Sequence, residues 1–233
     1  MSREVLVHRH HRSAAFGLFA LLLAAIVAVI LIEVGEVAFE RIGFNSYEFT
    51  LILILTLVGS TVNIPVAELK SQEPLVVVQE VRVFGMYYRV PAVRLAQRST
   101  IVAVNVGGAV IPLLVSLYLL ATHSSLVWAS LLGSFFAALL VHLMARKVKG
   151  VGIVTPAFLP PLAAAVIAYV LAPGTPAVVA YVSGTLGALI GADLSNLGGI
   201  GKLGAPMASI GGAGTFDGVF LTGLVAVLLV PFL

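Results

Sequence analysis

The stretch VGIVTPAFLPPLAAAVIAYVLAPGTPAVVAYVSGTLGALIGA, residues 151–192, contains no charged side chain and decides the fold class. It is about twice as long as the roughly 20 apolar residues that cross a bilayer as one helix. Pro173, Gly174 and Pro176 interrupt it, and such residues mark a turn. The stretch therefore predicts two consecutive transmembrane helices, over residues 151–172 and 176–196.

Composition extends this prediction to the whole chain. Of the 233 residues, 60% are hydrophobic and 10% are charged, and the mean hydropathy is +1.13. Soluble domains carry about 25% charged residues. The predicted fold is all-α: a polytopic transmembrane helical bundle that forms a single integral membrane domain over residues 1–233. The seven predicted spans are residues 13–32, 47–64, 99–121, 125–145, 151–172, 176–196 and 215–233.

Several classes of site are excluded by residue type. The chain has no cysteine, which excludes disulfides, thiolate metal sites and cysteine nucleophiles. No cofactor is predicted. The net charge of +3 is interpreted as a signal for membrane orientation rather than for nucleic acid, and no nucleic-acid partner is predicted.

Lysine and arginine predict the orientation of the bundle. With a cytoplasmic N-terminus, the seven-span arrangement places 12 of the 13 basic residues on the cytoplasmic side and only Arg41 outside. Loops on the cytoplasmic side are enriched in these residues. The sequence therefore predicts a multi-pass protein of the cell membrane with its N-terminus in the cytoplasm and its C-terminus outside.

The polar segment 65–98 is predicted to lie on the cytoplasmic side. Its part from Val76 to Val90 is β-branched and aromatic with a central glycine, which predicts a short hairpin. An isolated hairpin is marginally stable, so we expect it to rest on helix ends or on anionic lipid headgroups. The alternative is an ordinary solvated loop. The side chains expected near lipid phosphate are Arg82, Arg89, Arg94 and Arg98.

Asp193 and Asp217 are the only aspartates, and they lie in a half of the chain whose one other charged residue is Lys202. Ionisable groups within spans are costly and mark functional sites. The sixth and seventh spans are antiparallel neighbours, so both carboxylates fall at similar depth near the cytoplasmic side. Two alternatives stay open: Asp217 caps its helix, and Asp193 lies in a position that water reaches.

The sixth span is predicted to be a packed central helix. A polar stripe lies on one face, and small residues repeat every four positions on another, a spacing that lets membrane helices approach closely. The stripe consists of Tyr181, Thr185, Asp193 and Asn196, and the small residues are Ala180, Gly184, Ala188 and Ala192.

A motif of Asn or Ser, an aliphatic residue and Gly-Gly occurs three times, beginning at Asn105, Asn196 and Ser209. Paired glycines allow positive φ and close backbone approach, and they could present N–H groups to an anion. Helix breaking and close packing are the simpler uses. The connection 197–214 is nearly uncharged, so we expect part of it to enter the membrane. The predicted binding residues are Asn105, Gly107, Gly108, Tyr181, Thr185, Asn196, Ser209, Gly211, Gly212, Gly214 and Thr215.

The segments SIGGAGTFDGVFLTG (209–223), AYVSGTLGALIGAD (180–193) and NVGGAVIP (105–112) resemble a family of prokaryotic multi-spanning proteins known only as a domain of unknown function. This resemblance implies membership without an activity. A weaker one is to the presenilin and prepilin-peptidase type of intramembrane aspartyl protease, in which two helices each supply a catalytic aspartate. Asp193 takes the first role, and Gly214-Thr215-Phe216-Asp217 is similar to the second motif.

Two functions of different classes follow from these residues. In the first, Asp193 and Asp217 form a catalytic dyad that cleaves a membrane-protein substrate, one acid protonated and the other ionised. In the second, the same aspartates bind a proton or a small cation in a transporter or channel. The oxygen donors of that second site are Asn105, Thr185, Asn196 and Ser209. The oligomeric state is not predicted.

Overall fold

The computed structural model describes residues 14–83, 86–148, 152–200, 206–212 and 218–233. In these ranges the fold is mostly helical with a small β-sheet, in agreement with the predicted class. The helices are α1 (Ala14–Arg41), α2 (Ser46–Gly59), α3 (Ile111–Thr122), α4 (Val127–Met144), α5 (Leu159–Leu171), α6 (Pro176–Ala188), the one-turn α7 (Leu197–Ile200) and α8 (Gly218–Leu229). The strands are β1 (Asn63–Val83), β2 (Met86–Asn105), β3 (Arg146–Val148), β4 (Gly152–Val154) and β5 (Met207–Ile210).

Helix α6 is the centre of the bundle, as its small residues predicted. Ten of its thirteen residues are buried. On the α4 side of α6, Gly187 faces Ala137. A Cβ built on Gly133 of α4 would lie 3.1 Å from the Cβ of Ser183. On the α8 side, a Cβ built on Gly184 would lie 3.1 Å from the carbonyl oxygen of Thr222. Helices approach this closely only where one partner lacks a bulky side chain.

The same contacts fix the helix directions. Gly133 of α4 faces Ser183 of α6, and Ala137 faces Gly187. Residue numbers therefore increase in the same direction along both helices, so α4 and α6 are parallel. Along α6 and α8 the residue numbers increase in opposite directions, because Gly184 lies beside Thr222 and Leu189 shares a buried cluster with Val219. Helices α6 and α8 are therefore antiparallel, as the sequence predicted for the sixth and seventh spans.

An aromatic cluster ties the first two helices to this centre. Phe39 of α1 is fully buried, with ring centroids 4.9 Å from Phe49, 5.7 Å from Tyr181 and 6.2 Å from Phe220. Aromatic side chains bury large areas and favour such tilted or edge contacts. The core of the bundle thus joins α1, α2, α6 and α8.

Fewer helices than predicted are long enough to cross a membrane. In the described ranges, Ser124–Met144 and Pro176–Gly199 meet the length and hydropathy expected of a span, which agrees with the predicted spans 125–145 and 176–196. A third is possible only if Val29–Arg41 and Ser46–Gly59, bent by 118°, count as one. The apolar helices Val106–Thr122, Leu159–Leu171 and Gly218–Phe232 are shorter. Seven spans are therefore not established.

Three predicted spans contain strands. The prediction 47–64 runs past the end of α2 at Gly59 into β1, and 99–121 includes the last residues of β2. The prediction 151–172 begins with β4, and its helix starts only at Leu159. Pro156, Pro160 and Pro161 lack the N–H that a helix interior requires, so a helix begins here only where proline occupies its first turn.

The hairpin is much longer than predicted. Strands β1 and β2 pair antiparallel from Asn63↔Asn105 to Val83↔Met86, with a register shift between Pro65 and Ala67. Strand β5 extends the sheet by pairing parallel to β2, from Ile101↔Met207 to Val104↔Ile210. Part of the connection 197–214 is therefore a sheet strand, and its depth in a membrane stays a prediction. The short strands β3 and β4 form a separate pair.

Candidate functional site

Asp193 lies where α6 loses its regular hydrogen-bonding pattern. Residues Leu189–Asp193 form a π-helical segment within the apolar helix Pro176–Gly199. Such segments occur frequently at functional sites. The carboxylate is half-buried, and its Oδ2 accepts a hydrogen bond of 2.7 Å from the Gly211 N–H. In the described part of the chain it forms no ion pair.

The partner of Asp193 is a turn that only glycine forms easily. Gly211 and Gly212 have φ of +83° and +95°, as the paired glycines predicted. A Cβ built on Gly211 would lie 2.6 Å from the N atom of Ala109, so the turn also sits directly on the chain between Gly108 and α3. Asp193, the Ser209 motif and the Asn105 motif therefore meet at one end of the bundle.

Asn105 connects the sheet to the helices at this junction. Its side chain is buried and donates to the Ser60 carbonyl at 2.7 Å and to Asn63 Oδ1 at 3.2 Å, and its Oδ1 accepts from the Gly108 N–H at 2.7 Å. Because this cap occupies the Gly108 N–H, that group is not free in the structure, and anion binding by the paired glycines stays a prediction. Asn105 therefore joins the sheet to the helices by hydrogen bonds, and its side-chain oxygen already accepts one from the Gly108 N–H.

Asn63 is a member of this site that sequence reasoning missed. Its Oδ1 accepts from both Asn105 and Ser209, the latter at 2.5 Å. A single asparagine after an apolar run is too common a feature to have predicted this. Through it, β1, β2 and β5 share one polar cluster, which we define as the junction cluster: Asn63, Asn105 and Ser209.

Gly107 has the closest helix contact in this region. A Cβ at this position would overlap the Thr56 carbonyl oxygen and the Ser60 nitrogen, and it would lie 2.9 Å from the carbonyl carbon of Gly59. These are all backbone atoms at the end of α2. Close packing, the simpler use considered for the paired glycines, therefore describes Gly107.

The third glycine motif lies apart from the other two. Asn196 is buried and donates to the carbonyls of Gly191 and Ala192, and its Nδ2 is 3.4 Å from His142 Nδ1. Ser195 Oγ lies 2.9 Å from the same histidine nitrogen. Asn196 thus secures the end of the π-helical segment against α4, and no hydrogen bond joins it to the junction cluster within the described ranges.

Tyr181 and Thr185 lie deeper, between α6, α1 and α8. Both are fully buried. They face the aromatic ring of Phe39 and the glycine backbone of Gly223. The polar stripe predicted on the sixth span therefore has its inner part in the core and its outer part at Asp193 and Asn196.

Asp217, Gly214 and Thr215 fall outside the described residues, so the predicted dyad and the predicted helix cap stay predictions. The first described residue after that gap, Gly218, begins α8. In the described part of the chain no group of three or more His, Cys, Asp or Glu could hold a metal ion.

Comparisons with known proteins agree with the family that the motifs indicated. The family model described as "Protein of unknown function (DUF1614)" matches residues 57–229, which include all three glycine motifs and Asp193. No curated protein matches the chain, and no solved structure does either. The likeness to presenilins is not shown by any of these matches. The apolar helices associate the chain with a membrane. Since the match covers well over half of the sequence, the chain belongs to the DUF1614 family of proteins of unknown function.

Proposed function

We propose that the protein is a proton- or cation-linked membrane transporter or channel in which Asp193 carries the exchangeable charge. The observation that carries this proposal is a half-buried carboxylate in a long apolar helix, with no ion pair in the described ranges and one backbone N–H as its partner. Carboxylates in such positions face ion or proton pathways in membrane proteins.

The breaks in the helices around Asp193 support the same function. One π-helical segment ends at Asp193, and a second, Val106–Val110, precedes α3 on the other side of the Gly211 turn. Transporter sites are commonly built from discontinuous helices that line a cavity. Val106–Val110 contains two glycines and Leu189–Asp193 contains one, and at these positions the backbone can approach closely and can change conformation at low cost.

The carboxylate provides the chemistry of a coupled site. When ionised, it holds the Gly211 N–H through a charge-assisted hydrogen bond, which is stronger than a neutral one. Uptake of a proton or a cation neutralises the charge and weakens this bond. The Gly211 turn is continuous with β5, so occupancy of Asp193 is linked to how firmly β5 is held beside the bundle.

The membrane arrangement in this proposal follows the charge distribution. The protein is a single integral domain of the cell membrane, with the N-terminus and the junction cluster on the cytoplasmic side and the C-terminus outside. The long β1–β2 hairpin lies on that cytoplasmic side. The positive charges expected near anionic lipid headgroups belong to Arg82, Arg89, Arg94 and Arg98 of this hairpin.

Flux through reconstituted vesicles tests the transport proposal. Purified protein is inserted into lipid vesicles that contain a pH-sensitive dye, and gradients of H⁺, Na⁺ and K⁺ are imposed in turn. We expect at least one gradient to drive a flux that Asp193→Asn abolishes. The control is Glu68→Gln, an exposed acid on β1, which should leave the flux unchanged. Equal flux in protein-free vesicles, or full activity of Asp193→Asn, would refute the proposal.

Aspartyl proteolysis by Asp193 and Asp217 is the second candidate, and one observation favours it. Helices α6 and α8 are antiparallel, and Val219 shares a buried cluster with Ala188 and Leu189, about one turn before Asp193. The chain therefore enters α8 near the turn of α6 that bears the carboxylate.

Disulfide trapping decides whether the dyad exists. The chain has no cysteine, so Asp193→Cys combined with Asp217→Cys gives a single defined pair. Cysteines form a disulfide when their Cα atoms are about 4.4–6.8 Å apart. Rapid oxidation to an intramolecular disulfide is expected if the aspartates are a dyad. Absence of this product under conditions that oxidise an Ile101→Cys and Met207→Cys pair would exclude it.

A further inference from the structure

Four buried hydroxyl groups in the described part of the chain lack the hydrogen bonds that such groups normally make, and two of them are neighbours on α6. In the described part of the chain, Tyr181 Oη and Thr185 Oγ1 have no hydrogen-bonding partner. They are neighbours one turn apart on α6 and lie close enough to interact with each other, although without the regular geometry of a hydrogen bond. Burial of an unpaired hydroxyl is destabilising, so its presence requires an explanation.

Other buried hydroxyls in the same helices show what a merely structural group does. Ser183 on α6 and Thr222 on α8 each donate to the carbonyl four residues earlier, at 2.6 and 2.5 Å. Ser116 and Ser134 do the same on α3 and α4. Thr185 has the equivalent carbonyl available at Tyr181 and does not bond to it. Its hydroxyl is therefore directed away from the local backbone.

Space for this hydroxyl is provided by the facing helix. A Cβ built on Gly223 of α8 would overlap Thr185 Oγ1 and would lie 3.3 Å from the Tyr181 ring. The absence of a side chain at Gly223 therefore allows both polar groups to lie between α6 and α8. Valine and phenylalanine would match the apolar surroundings better at positions 185 and 181.

The pair lies on the same face of α6 as Asp193 and deeper in the bundle. Thr185 and Asp193 are eight residues apart, which corresponds to about 12 Å along a helix axis. Asp193 lies at the end of the bundle that carries the sheet, whereas the pair is surrounded by the core around Phe39. The pair thus lies between α6 and α8, and Asp193 lies further along α6, beside the Gly211 turn.

We infer that Tyr181 and Thr185 form a second, internal binding position for the proton or small cation that Asp193 takes up. This inference rests on the proposed transport function and adds a pathway to it. Hydroxyl oxygens supply lone pairs to a cation. For a proton, the Tyr181 oxygen accepts one hydrogen as its own hydroxyl hydrogen passes to the Thr185 oxygen, and Thr185 releases its hydrogen in turn. Neither residue changes its net charge.

Removal of each hydroxyl with little change in volume tests the inference. Tyr181→Phe and Thr185→Val are measured in the vesicle flux assay, with the H⁺ and alkali-cation gradients applied separately so that the carried species is distinguished. The matched control is Ser130→Ala, which removes another buried hydroxyl without a partner, on α4. We expect at least a tenfold loss of flux in the first two variants and wild-type flux in the control.

Thermal unfolding of the same variants separates function from structure. Loss of an unpaired buried hydroxyl should leave the melting temperature equal to that of wild type or raise it. A lowered melting temperature in both Tyr181→Phe and Thr185→Val would indicate a structural role and overturn the inference. Wild-type flux in both variants, beside an inactive Asp193→Asn, would overturn it while leaving the proposed function intact. Absence of flux in the wild-type protein would instead refute the proposed function.

Discussion

Substitution of Gly107 by alanine should destabilise the fold strongly, because the added methyl group meets backbone atoms on three sides. The Thr56 oxygen, the Ser60 nitrogen and the carbonyl carbon of Gly59 surround the Cβ position. Overpacking of this kind costs about 1–3 kcal/mol where side chains can adjust. Backbone atoms adjust less, so the cost falls at the upper end of this range. Alanine's better helix propensity offsets about 1 kcal/mol.

The net loss of about 2 kcal/mol predicts a measurable shift. For a chain of this size each kcal/mol corresponds to roughly 2–4 °C, so the melting temperature in detergent should fall by about 4–8 °C. The matched control is Gly174→Ala, where no atom lies within 4 Å of the added Cβ. A melting temperature of Gly107→Ala within about 1 °C of the Gly174→Ala value would refute the close contact between α2 and the start of α3.

Three further predictions concern the junction and the topology. Asn105→Ala should lower the free energy of unfolding by about 1–3 kcal/mol, as measured by denaturant titration, because it leaves the buried Gly108 N–H without its acceptor. Ile101→Cys with Met207→Cys should form an intramolecular disulfide or be joined by a short thiol cross-linker, since these residues pair in the sheet; failure of both reactions would contradict the parallel β2–β5 pairing. A reporter fused after Leu233 should be active only outside the cytoplasm, and a cytoplasmic signal would refute the predicted orientation.

Uniform apolar helices were predictable because their hydropathy and their length agree. Helices α4 and α6 match the predicted spans within a few residues. Residues 99–105 are just as free of charge, yet they form the end of β2. A short apolar run is compatible with a helix or with a strand. Residues 99–105 form a strand because they pair with β1 and β5, which are remote in sequence. For this reason the predicted spans 47–64, 99–121 and 151–172, which include strand residues, are not confirmed.

The candidate site was predictable in its composition but not in its contacts. The isolation of Asp193 in an uncharged half and the positive φ of Gly211 both follow from residue type. The hydrogen bond between them joins residues eighteen positions apart in the sequence, and nothing in the spacing selects that N–H. Likewise, Asn63 joins the site only because the sheet register places it opposite Asn105.

The central claim is that the Asp193 carboxylate takes up and releases a proton or a cation while it lies within the bundle. Infrared difference spectroscopy on wild-type and Asp193→Asn protein, titrated with acid and then with alkali cations, measures this most directly. We predict a carbonyl band of a protonated carboxyl group that grows on acidification in the wild-type protein and is missing from the variant. Identical difference spectra for the two proteins over the whole titration would contradict the claim.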